Sequence, residues 1–262
     1  MANAYEKIAD DLRQSIRAGQ LAPGERLPSE TALAEKYGRS VPTIRDALRL
    51  LRSEGLIEKQ HGRGNFVRKT RTAVLRTNLR HQWEKNRARE PEERRAATGA
   101  TEHDTGLQVN DLVFHASYRE AKASKEIAEA FGVPEDSALI ERTYRTRYAA
   151  ERAPFALVTS YLVRDMVAEN PDLLDAANEP WPGGTQNQLF TVGIELGRIE
   201  ERVTARPPTP EEAEELELEP GTAVILLRKT SYDTGGRVVE LSDITLPGDR
   251  TEMTFTTPLE RW

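Results

Sequence analysis

Thr43, Arg45 and Arg49 are spaced so that they share one face of a helix, and a basic, glycine-containing turn follows them at residues 61–63. Arginine pairs with phosphate oxygens and, through two parallel hydrogen bonds, with guanine edges. A helix with arginines on its outer face fits the major groove of DNA, and a basic turn beside it can reach the neighbouring minor groove or the backbone. These residues therefore indicate double-stranded DNA as the partner of this segment.

Three helices and a hairpin are expected to position these side chains. Ser40 is the expected cap of the arginine-bearing helix, and Pro42 is tolerated because the first turn has no amide partner to lose. A shorter helix follows Ser29 and stops at Gly38, and an earlier amphipathic helix begins near Tyr5. "LIEKQ" and "NFV", joined by "HGRG", form two strands of a wing. The alternative is a charged amphipathic helix beside an ordinary hairpin without a DNA-binding role. It would explain the helix or the hairpin alone, but not the order of helix, short link, helix and basic wing.

The charge of the chain is unevenly distributed. Residues 1–100 contain 21 Lys and Arg against 13 Asp and Glu, a net charge of +8. The other 162 residues contain 16 and 30, a net charge of −14, which gives −6 for the 262-residue chain. A basic front half on an acidic chain indicates a polyanionic partner for that half alone.

Several classes of chemistry have no support in the sequence. There is no cysteine, and no P-loop, nucleophile elbow, H-E-x-x-H motif or dinucleotide fingerprint occurs, so neither catalytic nor metal-binding residues nor a cofactor is expected. His81, His103 and His115 stand apart and are interpreted as ordinary surface or strand residues. No apolar run is long enough for a membrane span, and the acidic first residues are unlike a signal peptide, so a cytoplasmic location is expected.

The segment "LAPGERLPSETALAEKYGRSVPTIRDALRLLRSEGLIEKQHGRGNFV" resembles the winged helix-turn-helix of the GntR family of bacterial transcription regulators. The resemblance, which extends from Tyr5 to Val67, implies which positions contact DNA. It places Ser40, Thr43, Arg45, His61 and Gly62 at DNA-contacting positions. The full set expected at DNA also includes Thr31, Arg39, Val41, Pro42, Arg49 and Arg63. Where the family usually has arginine after the serine of the turn, this chain has Val41, so its operator sequence cannot be taken from relatives.

Residues 71–105 are basic, contain few large apolar residues and show no sustained period. We expect a partly helical, flexible linker between a DNA-binding domain at 1–70 and a second domain at 106–262. If the linker is helical, Leu75, Leu79 and Trp83 share one face, through which the linker would pack against a domain. A frayed segment is the alternative.

The second domain is expected to be α+β and built on an antiparallel sheet, so the whole chain is a two-domain α+β protein. "ALIERTYRTRYA" and "PFALVTSYLV" form one hairpin, and "AVILLRKTSYD" and "RVVELSDITLP" form another across "TGG". "KASKEIAEAFG", "TQNQLFTVG" and "TPEEAEELEL" are helices between strands.

This order of elements resembles the effector-binding domain of the HutC subfamily, which has a chorismate-lyase-like fold. The segments that carry the resemblance are "EIAEAFGVPEDSALIERTYRTR", "TARPPTPEEAEELELEPGTAVILLRKTSYDTGGRVVELSD" and "PGDR", and "GGTQNQL" is similar to actinobacterial members. The resemblance implies a small-molecule effector bound by Arg145, Arg147, Val158, Thr185 and Glu240, with the arginines on its anionic group. The alternative for the two arginines is a surface strand with alternating charges.

Two positions depart from the pattern of sugar-phosphate binders. Val158 replaces an acid and Leu246 replaces a tyrosine, so a more apolar effector is favoured over an amino sugar. We expect a homodimeric, ligand-responsive repressor that binds a near-palindromic operator. The alternatives are a constitutive DNA-binding protein whose rear domain only dimerises, and a chorismate-lyase-like enzyme with a DNA-binding head.

Overall fold

A computed structural model describes residues 3–69 and 71–260. The chain divides into two compact units. The first unit contains the described residues up to Arg71 together with Pro207–Ala223, and the second contains Thr72–Arg206 and the described chain from Val224 onwards. The sequence-based boundaries place 207–223 in the rear domain, whereas the contacts group this segment with the first unit.

The first unit is built from three helices and a hairpin. They are α1 (Ala4–Arg17), α2 (Glu30–Tyr37), α3 (Val41–Ser53), β1 (Ile57–Gln60) and β2 (Gly64–Val67). The two strands are antiparallel. Apolar residues at helical spacing on α1 and α3 face each other and form one core with residues of α2 and the hairpin: Ile8, Ala9, Leu12, Leu27, Leu33, Ile44, Ala47, Leu48, Leu51, Ile57 and Val67.

Local signals set the ends of α2 and α3. The Ser29 hydroxyl accepts a hydrogen bond from the Ala32 amide at 3.1 Å and caps α2. Gly38 ends α2 in the left-handed conformation with φ of 59°, which favours glycine. Ser40 then caps α3, so the turn between the two helices is short. The predicted helix-turn-helix is present with these caps.

The second unit contains eight strands and six α-helices within the described residues. The strands are β3 (Val74–Thr77), β4 (Leu112–Lys122), β5 (Ala138–Tyr148), β6 (Leu157–Val163), β7 (Leu196–Arg206), β8 (Val224–Asp233), β9 (Val238–Pro247) and β10 (Thr251–Thr254). The helices are α4 (Arg80–Arg87), α5 (Glu92–Ala96), α6 (Ala100–Thr105), α7 (Lys125–Phe131), α8 (Arg164–Val167) and α9 (Gly184–Thr191).

Six of the strands form one antiparallel sheet in the order β4-β5-β6-β9-β8-β7. Its register pairs Tyr144 of β5 with Val158 of β6, and Val158 with Ile244 of β9. Because side chains alternate along a strand, Tyr144 shares its face with Arg142, while Arg145 points to the opposite face. This register decides which residues can line a site above the sheet. The two-domain α+β fold is confirmed.

The segment expected to be a flexible linker is folded in the structure. It contains β3, α4, α5 and α6, and β3 pairs in parallel with β10 near the C-terminal end of the unit. Leu75 lies on β3, not on a helix, and both Leu75 and Leu79 are exposed. Trp83 packs against His103, with ring centroids 4.3 Å apart. The segment is held by polar and aromatic contacts rather than by an apolar stripe, which is why no helical period appears in its sequence.

The segment 207–223 contains the last helix, α10 (Pro210–Glu215). Thr209 and Glu212 form its capping box, as the acidic start of "TPEEAEELEL" predicts. Within the first unit, the segment approaches the end of α3 so closely that a Cβ on Gly221 would lie 2.8 Å from the Ser53 carbonyl oxygen. Gly221 has φ of 92°, a second reason why a side chain is disfavoured there. None of the described helices is long and apolar enough to cross a bilayer.

Candidate functional site

The first unit presents an open groove at the turn between α2 and α3. Its lining residues are Thr31, Ala34, Glu35, Gly38, Arg39, Ser40 and Thr43. The Ser40 and Thr43 hydroxyl oxygens are 2.9 Å apart, and the Thr43 amide donates to Ser40 Oγ at 3.5 Å. The cap therefore holds the two hydroxyls together at the surface, where a hydroxyl can donate to a phosphate.

Arg45 and Arg49 extend from the exposed face of α3. Arg45 Nε donates to Glu30 at 2.7 Å, and Arg49 Nη1 donates to Asp46 at 2.8 Å. Arg45 Nη1 and Nη2 bond to no described residue, so the Glu30 contact orients the guanidinium and leaves both terminal nitrogens available. Those two groups make the bidentate contact to guanine in DNA complexes. The side chains of Arg45 and Arg49 are 59% and 72% exposed, so neither needs uncovering before it meets DNA.

The wing lies between β1 and β2. Residues 61–63 form its turn, in which His61, Gly62 and Arg63 are exposed. Gly62 has φ of 72°, so its left-handed backbone explains the glycine. The Arg63 guanidinium lies 5.5 Å from the centre of the Phe66 ring, which holds the arginine by a cation–π contact.

All eleven residues expected at DNA belong to this unit, on α2, the turn, α3 and the wing. Nine are exposed, and Val41 and Thr43 are half-buried. The sequence reasoning missed Glu30, which orients Arg45. It also missed Arg13, whose guanidinium bridges α1 to Glu54 after α3, with Nε–Oε2 and Nη2–Oε1 distances of 2.8 and 2.6 Å. The acid after the Ser29 cap could have suggested Glu30, but no local pattern links Arg13 to a residue 41 positions away.

The second unit encloses a cavity of about 530 Å³ above one face of the six-stranded sheet. Apolar and aromatic side chains line one part of it, namely Val109, Leu112, Phe114, Phe155, Ala156, Val158, Ile244 and Leu246. Polar and charged side chains line another part, namely Arg76, Arg80, His81, Glu84, Arg87, Arg95, Glu102, Asp104, Tyr144, Ser160, Glu179, Thr185, Lys229, Glu240 and Ser242. A cavity with both types of lining is typical of a small-molecule site.

The floor of the cavity is a buried charge network centred on Glu240. The Glu240 carboxylate lies 3.3 Å from Arg142 Nη2 and 2.9 Å from Lys229 Nζ, and it also accepts hydrogen bonds from three serine hydroxyls. Burial would raise the pKa of Glu240, but the Lys229 and Arg142 charges outweigh it and lower the pKa to about 2. Glu240 is therefore ionised, and its oxygens are already engaged by protein groups.

Glu179 organises a second part of the floor. It accepts hydrogen bonds from the Tyr144 hydroxyl at 3.1 Å and from Gln188 Nε2 at 2.9 Å, and the Tyr118 hydroxyl also donates to it. Burial and then the nearby Glu179 charge raise the pKa of Tyr144 well above its ordinary value, against the effect of Arg142. Burial also raises the pKa of Tyr118, so both tyrosines remain protonated donors at neutral pH.

The folded segment 74–105 supplies the opposite wall. Arg80 pairs with Asp104, and Arg76 Nη2 lies 3.3 Å from Glu201 Oε1. His81 Nε2 lies 3.1 Å from the same oxygen, and His81 Nδ1 lies 3.6 Å from Glu84 Oε2. Burial would lower the pKa of His81, but these two carboxylates raise it above its ordinary value. His81 was interpreted as an ordinary surface or strand residue; the structure corrects this and places it in the cavity wall.

Three of the five residues expected to bind an effector line the cavity: Val158, Thr185 and Glu240. Arg145 and Arg147 do not, because β5 turns them to the other face of the sheet. Arg147 Nη1 donates to the carbonyls of its own hairpin, including Glu151 at 3.0 Å, and Arg145 Nη1 donates to the Tyr144 carbonyl at 2.9 Å. The expectation that these arginines line the site is corrected; a shift of one residue reverses the face of every side chain on a strand.

Arg142 lies on the cavity face of β5, fully buried beneath the lining. It donates to Gln188 and Ser160, each at 2.8 Å. The sequence reasoning missed it, although Arg142 and Arg145 both belong to "ERTYRTR" and differ only in the phase of the alternation. Within the described residues, no group of three or more His, Asp or Glu side chains is arranged to hold a metal ion.

The exposed arginine helix beside a wing defines the first unit as a winged helix-turn-helix DNA-binding domain. The cavity of the second unit has the size and mixed lining that are typical of small-molecule sites. The profile described as "Bacterial regulatory proteins, gntR family" matches residues 4–67, and that of the UTRA domain matches residues 115–252. The chain belongs to the gntR family of bacterial transcriptional regulators and has the two-domain architecture of its HutC subfamily.

Similar proteins support this assignment over nearly the whole chain. An uncharacterised HTH-type transcriptional regulator of Streptomyces coelicolor is 30% identical over 242 residues, which are 92% of this chain and 87% of that protein. The HTH-type transcriptional repressor NagR of Bacillus subtilis is 28% identical over 254 residues, 94% of this chain and 91% of NagR. A crystal structure of a GntR-family regulator matches with a TM-score of 0.63 and 26% identity, covering 98% of each chain. The names of these proteins all describe regulators of transcription, the class to which the chain belongs.

Proposed function

We propose that this regulator is a homodimeric repressor that binds a near-palindromic operator and responds to a small molecule bound in the cavity of the second unit. The observation that carries the proposal is the pairing of an exposed arginine helix and wing in one unit with a cavity of about 530 Å³ in the other. The similarity to NagR, which is a repressor, supports repression as the direction of control. A regulator of this kind acts on DNA in the bacterial cytoplasm.

On the operator, α3 lies in the major groove with Ser40 and Thr43 near the backbone and Arg45 at base edges. Residues 61–63 of the wing contact the adjacent groove or phosphates, and Thr31 and Arg39 contact phosphates at the edge of the site. Two heads of a dimer then contact half-sites about one helical turn, roughly 34–36 Å, apart. The exposure of these side chains and the +8 charge of residues 1–100 support this placement.

The effector contacts the apolar side chains Val158 and Leu246 and the Thr185 hydroxyl, with Glu240 organising the floor beneath it. A ligand can shift the equilibrium between DNA-binding and released conformations only by its difference in affinity for the two. The repressor therefore requires an effector that binds the released conformation more tightly.

A constitutive DNA-binding protein is the second candidate function. The observation that favours it is that the carboxylates of Glu179 and Glu240 already accept hydrogen bonds from protein groups. The floor of the cavity would then have a structural role. Under this alternative the second unit only dimerises the chain. A thermal-shift screen with metabolites distinguishes the two, because a true effector raises the unfolding midpoint of the second unit.

Footprinting on the DNA upstream of the regulator's own gene tests the operator, and sedimentation of the complex tests the dimer. We expect protection of two half-sites about one turn apart and two chains per DNA fragment. Protection of a single half-site by one chain would contradict the proposal. A compound found in the thermal-shift screen should then weaken operator binding, and unchanged operator binding would leave the constitutive alternative.

A further inference from the structure

Six cationic side chains line the cavity, and their partners differ. Arg76, Arg80, His81 and Lys229 each have a carboxylate oxygen within 4.0 Å. Arg87 and Arg95 have none among the described residues. Buried charges are normally paired, because an unpaired ion loses its hydration without compensation. These two arginines are therefore the cations of the lining whose charge is left for a ligand to balance.

Arg87 is the more deeply placed of the two. It is 7% exposed at the end of α4, and its guanidinium lies 4.7 Å from the centre of the Trp83 ring. Its Nη2 donates to the Arg95 carbonyl, and its buried Nε has no hydrogen-bond partner. Burial lowers the pKa of Arg87, and the more distant Glu84, Glu102 and Glu90 only partly oppose this. An anion brought next to Arg87 would offset the cost of its burial.

Arg95 faces the same part of the cavity from α5. Its Nη1 donates to the Pro182 carbonyl at 2.7 Å, and its buried Nε also has no hydrogen-bond partner. A Cβ built on Gly183 would lie 3.1 Å from Arg95 Cδ, so the arginine stem lies directly against the residue that precedes α9. The carbonyl contacts fix both guanidinium groups without neutralising either.

We propose that Arg87 and Arg95 bind an oxyanion, a carboxylate or a phosphate, carried by the molecule that occupies this cavity. The proposal rests on the proposed function, in which the cavity is the effector site, and it names the effector's chemical class. The planar fork of arginine matches both oxyanions. The anion site is therefore on the folded segment 74–105, which lies between the two matched profiles, and not on Arg145 and Arg147.

The rest of the lining defines the body of the ligand. Phe114, Phe155, Val158 and Leu246 present an apolar wall in the same cavity. A molecule that meets both regions carries one oxyanion on an aromatic or aliphatic body. The effector class is a small organic acid or phosphate ester with an apolar portion.

Calorimetry on the full chain without DNA tests the proposal with four probes. Benzoate and phenyl phosphate carry an oxyanion on an aromatic body, benzyl alcohol is their neutral counterpart, and inorganic phosphate is the bare anion. We expect at least one of the two aromatic anions to bind about 10-fold or more tightly than benzyl alcohol. Tighter binding of phenyl phosphate than of inorganic phosphate identifies an ester, and the reverse identifies free phosphate. Equal binding of the neutral probe and both anions would overturn the proposal, as would no binding of any anion.

Paired variants locate the site. Arg87→Ala and Arg95→Ala should each weaken binding of the anionic probe about 10-fold or more, because charge-assisted hydrogen bonds are lost. The affinity for benzyl alcohol should stay unchanged. Arg89→Ala and Arg94→Ala remove the same charge from exposed neighbours and should have no effect. If Arg87→Ala does not fold, Arg95→Ala decides, because Arg95 is only half-buried. Wild-type affinity in a folded Arg95→Ala variant would place the anion elsewhere. Because no DNA is present, this failure is separate from a failure of the bound molecule to change operator affinity.

Discussion

Glu240→Gln removes the negative charge that pairs with both Arg142 and Lys229 while almost preserving the size of the side chain. Arg142 is fully buried, and the Lys229 side chain is 19% exposed. Removing one partner of a buried ion pair costs about 3–5 kcal/mol, because the remaining charge stays buried without compensation. Here two cations lose their partner, so we expect the free energy of unfolding of the second unit to fall by about 3–5 kcal/mol.

The size of this loss should depend on pH. The pKa of Glu240 is lowered to about 2 in the folded chain, whereas an unfolded glutamate titrates near 4.3. A depressed pKa contributes stability that is complete above the unfolded value and is lost as pH falls through the folded value. The difference in stability between wild type and variant should therefore be constant near neutral pH and should shrink below about pH 4.3.

Urea unfolding followed by tryptophan fluorescence measures this effect selectively. The three tryptophans of the chain are at positions 83, 181 and 262, and the first unit contains none of them. Asp243→Asn is the matched control on the same strand, because Asp243 pairs with half-exposed Arg228 at 2.7 Å and should cost less than about 1 kcal/mol. A Glu240→Gln variant no less stable than this control would refute the buried network as a source of stability.

Two further predictions concern single side chains. Ser29→Ala removes the 3.1 Å hydrogen bond that caps α2 and should destabilise the first unit by about 1 kcal/mol. Thermal unfolding followed by far-UV circular dichroism measures this, and an unchanged midpoint would show that the cap does not stabilise the unit. Glu201 and Glu84 raise the pKa of His81 despite its burial. His81 should therefore stabilise the second unit fully below about pH 6.5, and this contribution should be lost as pH rises through the raised pKa. Urea unfolding at several pH values should show this fall in the free energy of unfolding for wild type, and His81→Gln should abolish it.

The DNA-binding half could be predicted from the sequence because its determinants are local. The caps at Ser29 and Ser40, the stop at Gly38 and the apolar period of α3 lie within short windows of sequence. Each of these signals acts over one or two helical turns, and all of them agree. The hairpin and its basic turn follow at once in the chain, so the order of elements was sufficient to place the exposed arginines.

The cavity could be predicted only in part, because its geometry depends on register and on distant pairs. The sequence placed Val158 and Thr185 correctly in the cavity lining. It assigned Arg145 instead of Arg142 to the cavity face of β5, because a shift of one residue in the strand alternation reverses the face of both. The pair between Arg76 and Glu201 joins positions 125 residues apart, and nothing local indicates it. Residues 71–105 were interpreted as a linker because buried charges, and not an apolar stripe, hold the folded part of this segment in place.

Operator affinity of the Arg45→Ala variant tests the central claim most directly, namely that α3 recognises DNA. Arg45 is held by Glu30 with both terminal nitrogens available, so its loss should cost roughly 1–3 kcal/mol on the footprinted operator. Arg94→Ala removes the same charge from an exposed site on α5 and should leave operator affinity unchanged. Wild-type affinity should also fall steeply between low and moderate salt, because phosphate contacts release counterions. A folded Arg45→Ala variant with wild-type operator affinity would contradict the assignment of α3 as the recognition helix.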